Sequence, residues 1–423
     1  MTVPASPATE TPVTTAASAP STTTAAGRLH AAPDSGPPRH RVRVRQLFQR
    51  ASGSYAIILG TTVFLVGFGL VMVLSSSSIE SYASSQNAFG DFWRQALFAA
   101  VGLPLMLVVS RMPLRFWKRW AGTALLACIV LQLLVFTPLG VAWGGNRNWI
   151  AVFGFTLQPS EFLKLAVVLW VAWMLASRPE SLVSGRALFW PIVPVAGLAV
   201  ALVMLGQDLG TTLVIGLSLI GTLYFAGVRL RWLALGIGIG GAAAAGIAFS
   251  SPNRLERIQS YVDGAACTDY LGACFQITNA TYALANGGWL GTGLGNSVMK
   301  WSWLPAMKDD FIFAIVGEEL GMIGAIVVIV LFIVLAVGFA RLIATSRDRF
   351  VRAATGGIMV WVVGQAFMNI AVVLGLLPVL GVPLPFISSG GTALIATLGA
   401  IGVVLSFARA TPVEAPPQVT VRG

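Results

Sequence analysis

Apolar residues run through this chain in blocks of about 18 to 30, separated by short polar or basic links. Each block is long enough to cross a bilayer core as a helix. Ten spans are predicted, near 55–74, 92–109, 120–138, 159–176, 189–206, 209–226, 232–250, 311–340, 352–376 and 390–408. A β-barrel is excluded, because its strands would alternate apolar and polar residues. The fold class expected is an all-α polytopic membrane protein. An even number of spans places both termini on the cytoplasmic side, with one large extracytoplasmic loop, about 251–310, between helices 7 and 8.

Composition agrees with that pattern. The 423 residues are 56% hydrophobic and 10% charged, against roughly 25% charged in an ordinary soluble domain. The net charge of +11 would point to nucleic acid in a soluble protein. Here most Arg and Lys fall in alternate short loops, namely Arg111, Arg115, Lys118 and Arg119, then Arg178 and Arg186, Arg229 and Arg231, and Arg341, Arg347, Arg349 and Arg352. That is the positive-inside distribution, and no nucleic-acid partner is expected. Three parts follow: a polar, basic cytoplasmic tail over 1–50, a membrane domain over 51–408, and a C-terminal cytoplasmic tail over 409–423. No apolar h-region follows Met1, so a cleaved signal peptide is not expected. Arg39, Arg41, Arg43 and Arg45 suit the anionic inner leaflet.

Acids where the chain is otherwise apolar narrow the search for chemistry. Asp309 and Asp310 stand where the long loop enters span eight. A helix N-terminus favours negative charge, partial burial opposes it, and the residues suit a general base, a metal ligand or a plain helix cap. Glu318 and Glu319 lie deeper in the same span and fit either function or a polar network joining helices. Glu161 and Lys164 share a helix face at i,i+3, as a structural pair or as part of a site. Arg147 and Lys164 are candidates to attract a diphosphate. Asp208 sits in a tight turn, Arg254 and Arg257 open the long loop and are further candidates for diphosphate, and Ser388 lies in a Pro- and Gly-rich loop before span ten. Glu161, Asp208 and Ser388 are candidates for substrate binding.

Other signals fail. Gly291, Gly293 and Gly295 lack dinucleotide-loop spacing, so no nucleotide cofactor is expected. His30 and His40 lie in the tail, which leaves no His-ligated metal in the membrane domain. Cys128 reads as a small core residue. Cys267 and Cys274 are either a local disulfide on an oxidising side or two free thiols.

The motifs together resemble the SEDS family (shape, elongation, division and sporulation), and its FtsW branch more closely than its RodA branch. They are NRNWI (146–150), QPSEFLK (158–164), QDLGT (207–211), NRLERI (253–258), FQITNATYALANGGWLGTGLGNS (275–297), DFIFAIVGEELG (310–321) and LLPVLGVPLPFISSGG (376–391). The resemblance implies a peptidoglycan glycosyltransferase that polymerises lipid II during cell division, in the cytoplasmic membrane at the division site. It places the essential aspartate on Asp310 and the intramembrane Glu–Lys motif on Glu161 and Lys164. It implies a class B penicillin-binding protein transpeptidase and other divisome proteins as partners, and a divalent cation, Mg or Mn, as a candidate cofactor at Asp310. A lipid II flippase and a divisome scaffold are the alternatives. Before the aspartate the family pattern runs close to LPEAHTD; here Ala306, Lys308 and Asp309 stand at its Glu, His and Thr positions.

Overall fold

The computed structural model describes residues 53–143, 146–152, 155–178, 185–249, 261–262, 274–301, 304 and 306–411. Both tails, most of 251–273 and three residues before Asp310 therefore fall outside the description, and with them Arg254, Arg257 and Cys267. Cys274 is disulfide-bonded and Cys128 is a free thiol.

Helices dominate: α1 (Gly53–Ser85), α2 (Gly90–Val109), α3 (Leu114–Leu134), α4 (Pro159–Ser177), α5 (Gly185–Leu205), α6 (Leu209–Ala226), α7 (Leu230–Phe249), α8 (Phe275–Gly287), α9 (Ile312–Thr345), α10 (Arg349–Met359), α11 (Gln365–Val373) and α12 (Gly391–Ala410). A π-helical turn, Val360–Gly364, joins α10 to α11. Each predicted span coincides with a helix. Among the described residues, however, seven helices rather than ten are long and apolar enough to cross a membrane. Helix α3 opens on Arg115, Lys118 and Arg119. Helix α5 is broken at Trp190. Within α5 and α7 the described apolar stretches are Trp190–Leu205 and Leu230–Ala243.

Contacts sort the helix ends into two sets. At one end Lys118 pairs with Asp348 at 2.6 Å, Arg409 donates to the Tyr55 hydroxyl at 2.9 Å, and Trp117 donates to Ser406 at 3.0 Å. This is the basic end that the charge pattern places inside. At the other, α1, α2 and α11 reach the turn that carries Asp310 or the loop beside it, through Glu80, Asp91, Gln95 and Asn369.

Two local features were not expected. The predicted loop over 139–158 contains a three-stranded antiparallel sheet, β1 (Gly140–Trp143), β2 (Asn146–Val152) and β3 (Phe155–Leu157), in the order β1-β2-β3. Alternation explains it: Asn148 and Ile150 are buried while Arg147 and Ala151 face out. Pro159 then starts α4, where its missing N–H costs nothing. Helix α4 is buried nearly all round and forms the centre of the bundle.

The second feature is a break in α9. Gly321 has φ +68° and ψ −168°, a region essentially closed to other residues. The break frees four backbone groups, and the segment after α8 takes them up. Thr292 N–H donates to Glu318 O at 2.9 Å and Gly293 N–H to Glu319 O at 3.0 Å; Met322 N–H donates to Gly288 O at 2.9 Å and Ile323 N–H to Trp289 O at 3.3 Å. Irregular backbone is tolerated in such a place only when re-satisfied in this way. A Cβ on Gly321 would lie 2.4 Å from Gly291 N and 2.5 Å from Trp289 O. Gly321→Ala should therefore destabilise the protein by about 3 kcal/mol or more, read as a fall in Tm of the purified protein. An unchanged Tm would show that the break is not required.

Candidate active site

Asp310 ends a turn over 306–310 that delivers the chain into α9. The first residue of the helix is capped by Phe311 without any side-chain cap hydrogen bond, so neither aspartate is the helix cap that spacing allowed. Ala306 holds φ +53°, unusual for a residue with a Cβ. Asp309 N–H donates to Ala306 O at 3.0 Å, closing the turn. Both aspartates are partly buried.

The loop over 374–390 folds back against this turn. Asn369 of α11 donates from Nδ2 to Asp310 O at 2.7 Å and to Val382 O at 2.8 Å. Ser389 N–H donates to Lys308 O at 2.8 Å. The Ser388 hydroxyl donates to Asp309 O and accepts from Leu384 N–H at 2.8 Å. Ser388, a candidate for substrate binding, is therefore buried and engaged with backbone on both sides. A Cβ added at Gly381 would lie 3.8 Å from Asp310 Oδ2. The site is thus a carboxylate on a turn, held from behind by irregular backbone and by α11.

Electrostatics at the turn are acidic. Burial, then the neighbouring Asp310, push the Asp309 carboxyl up to about 7, against a smaller opposing pull from Lys308. Burial acts to lower the Lys308 ammonium, but Asp91 and Glu80 outweigh it and hold that group above its ordinary value. Lys308 Nζ lies 2.8 Å from Asp91 Oδ2 and 3.2 Å from Glu80 Oε1.

The other sequence candidates sit elsewhere. Lys164 was a candidate diphosphate ligand; it is turned inward, with its side chain 1% exposed, and lies 2.9 Å from Glu161, itself 3% exposed. Its ammonium also donates to Gln365 Oε1 at 3.3 Å and rests 4.8 Å from the centre of the Trp361 ring. Gln365 relays this pair to the site loop by donating to Pro383 O at 2.8 Å. Asp208 caps α6, accepting from Thr211 N–H at 2.9 Å and from the Thr211 hydroxyl at 2.7 Å, with Gln158 donating at 3.2 Å. Arg147 is exposed on β2 and donates to Thr137 O at 2.9 Å. Glu318 and Glu319 are fully buried. Glu318 accepts from Asn286 at 2.9 Å, Val298 N–H at 2.9 Å and the Ser297 hydroxyl; Glu319 accepts from Ser75 at 2.7 Å and 2.6 Å. Both carboxylates lock the α8–α9 connection to α1 and α9.

Sequence reasoning missed Gln95, Gln365 and Asn369. All three are polar residues inside apolar runs, and Gln365 and Asn369 share a face at i,i+4. That spacing was the available signal.

Among the described residues, no three His, Cys, Asp or Glu side chains gather as metal ligands. The Lys308 ammonium takes the place between Glu80 and Asp91 where a cation would bind. Among the described residues no divalent-ion site is formed, and no chemical step below passes through one.

A family model for FtsW, RodA and SpoVE, described as cell cycle protein, matches residues 56–412. The chain belongs to this family. It is 40% identical over 378 residues to the probable peptidoglycan glycosyltransferase FtsW of Mycobacterium tuberculosis, covering 89% of this chain and 72% of that protein. It is 37% identical over 351 residues to stage V sporulation protein E of Bacillus subtilis, covering 82% and 95%. Among solved structures, a chain from a peptidoglycan synthase complex that coordinates polymerisation and crosslinking aligns with a TM-score of 0.66 at 25% identity, covering 83% of this chain and 97% of that one. The rod shape determining protein RodA of Thermus thermophilus shares the fold, with a TM-score of 0.62 at 22% identity over 84% and 97%.

Proposed function

We propose that this chain is a peptidoglycan glycosyltransferase that polymerises lipid II into glycan strands during cell division, with Asp310 as general base. The observation that carries the reading is the placement of Asp310. Its carboxylate stands on a partly exposed turn at the end of the bundle opposite the basic end, backed by loop 374–390 and braced through Asn369. The curated names of the relatives supply the reaction class.

Polymerisation needs a sugar hydroxyl to attack the anomeric carbon of a second lipid II while lipid diphosphate leaves. One displacement with inversion joins an α-linked donor to a β-linked product. Asp310 takes the proton of the attacking hydroxyl as the C–O bond forms, and the electron pair of the breaking bond departs on the diphosphate. Cations to stabilise that leaving group come from Arg147, exposed on β2, with Arg254 and Arg257 of the long loop as candidates from the sequence alone, and not from the inward Lys164. A class B penicillin-binding protein transpeptidase is the partner that cross-links the product, at the division site.

The test supplies fluorescent lipid II to the purified chain with its cognate transpeptidase, with and without Mg or Mn, and resolves products by gel. Strands that lengthen with time are expected. Translocation of lipid II across vesicles without strands would replace the enzyme with a flippase. Neither activity, in an assay where a known polymerase works, would leave a scaffold.

A further inference from the structure

The face of α2 that meets the Asp310 turn carries Asp91 and Gln95, four residues apart, and the two grip different parts of the site. Gln95 donates from Nε2 to Ser388 O at 3.2 Å and accepts from Gly390 N–H at 3.3 Å. Asp91 accepts from Lys308 at 2.8 Å and is itself fixed by the Ser81 hydroxyl at 2.9 Å. Lys308 also reaches Glu80 on the last turns of α1, and its side chain is 20% exposed. Its backbone carbonyl meanwhile accepts from Ser389. One residue, two before Asp310, thus ties together α1, α2 and the loop before α12. The turn needs such a tie: Ala306 holds a left-handed φ of +53°, a conformation that persists only when its surroundings enforce it.

We propose that Lys308 is a positioning residue for catalysis, holding the Asp310 turn against α1 and α2 through Glu80 and Asp91. The inference rests on the reading of Asp310 as the general base. Lys308 does not act on diphosphate, because both of its carboxylate partners lie on α1 and α2. Its effect falls on the geometry of attack. A base displaced by about 1 Å can cost 100-fold in rate without weakening substrate binding.

The experiment measures kcat and KM for lipid II in the full chain with its transpeptidase, for wild type, Lys308→Gln, Lys308→Arg, Lys308→Asp, Glu80→Gln, the charge-swapped pair Lys308→Asp with Asp91→Lys, and Asp310→Ala. Lys308→Gln should lower kcat by about 10- to 100-fold with KM nearly unchanged. Lys308→Arg should keep most of kcat, and the swapped pair should exceed Lys308→Asp alone. Glu80→Gln, which removes an exposed partner, should fold normally and lose a few-fold in kcat, so the idea stays testable if Lys308→Gln does not fold. Wild-type kcat in Lys308→Gln or in Glu80→Gln, or a change confined to KM, would overturn the inference while an inactive Asp310→Ala left the general-base reading standing. A polymerising Asp310→Ala would instead remove the base assignment itself.

Discussion

Asp310→Ala is expected to fold, to elute as wild type, and to make no glycan strands. The fold should survive because Asp310 O accepts from Asn369, and alanine retains that carbonyl. The helix start is capped at Phe311 without a side-chain bond, so no cap is removed. A partly exposed carboxylate lost from such a place changes stability by about 1 kcal/mol. The chemical loss is far larger, since a general base contributes about 100- to 10,000-fold, enough to take a slow polymerase below detection. Asp310→Asn separates charge from shape: it keeps the volume and removes the base, and should be equally inactive. Strand synthesis by either variant at the wild-type rate would move the chemistry to another residue.

The largest effect on stability should come from Glu161→Ala. Glu161 and Lys164 are both buried, and removing one partner leaves the other as an uncompensated charge, at a cost of about 3–5 kcal/mol. The remaining contacts of Lys164, the Gln365 amide oxygen and the Trp361 ring, do not replace an anion. The double variant Glu161→Leu with Lys164→Met should recover most of that loss, because a buried ion pair and an apolar pair of similar volume are often close in stability. Thermal unfolding in detergent measures all three. If the double variant were as unstable as Glu161→Ala, the pair would be supplying something other than mutual neutralisation. The obvious remaining candidate is the link through Gln365 to Pro383 O in the site loop, and a loss of strand synthesis at permissive temperature would report it.

What the sequence disclosed follows the range of the interaction that sets each feature. Apolar runs, Pro159 at a helix start and the i,i+3 pair of Glu161 and Lys164 are local, and the structure has helices where the runs predict them. The number of membrane-crossing helices was less legible, because a kink such as that at Trp190 shortens a span without changing its apolar character. The sheet over 140–157 escaped notice since its strands are short and its buried alternate positions, Asn148 and Ile150, depend on what packs beneath them. Gly321 looks in the sequence like any glycine in an apolar helix; its break is set by Gly288, Trp289, Thr292 and Gly293, which dock from the preceding segment. Lys308 is adjacent to the aspartates in sequence, but its partners Glu80 and Asp91 lie more than 200 residues away, beyond any pattern of spacing. The position of Asp310 at the mouth of an apolar run was legible, since the run itself is local and α9 starts two residues later.

The break in α9 bears on how the protein is made. Residues 322–345 alone are about 36 Å long as a helix, enough to cross a hydrocarbon core of about 30 Å. The translocation machinery can therefore seat this lower piece without any help from the rest of the fold. The upper piece, which follows the Asp310 turn, cannot finish its backbone pairing until residues 288–293 have been threaded beside it. Insertion of the lower piece and completion of the pairing at the break are thus separable steps in biogenesis.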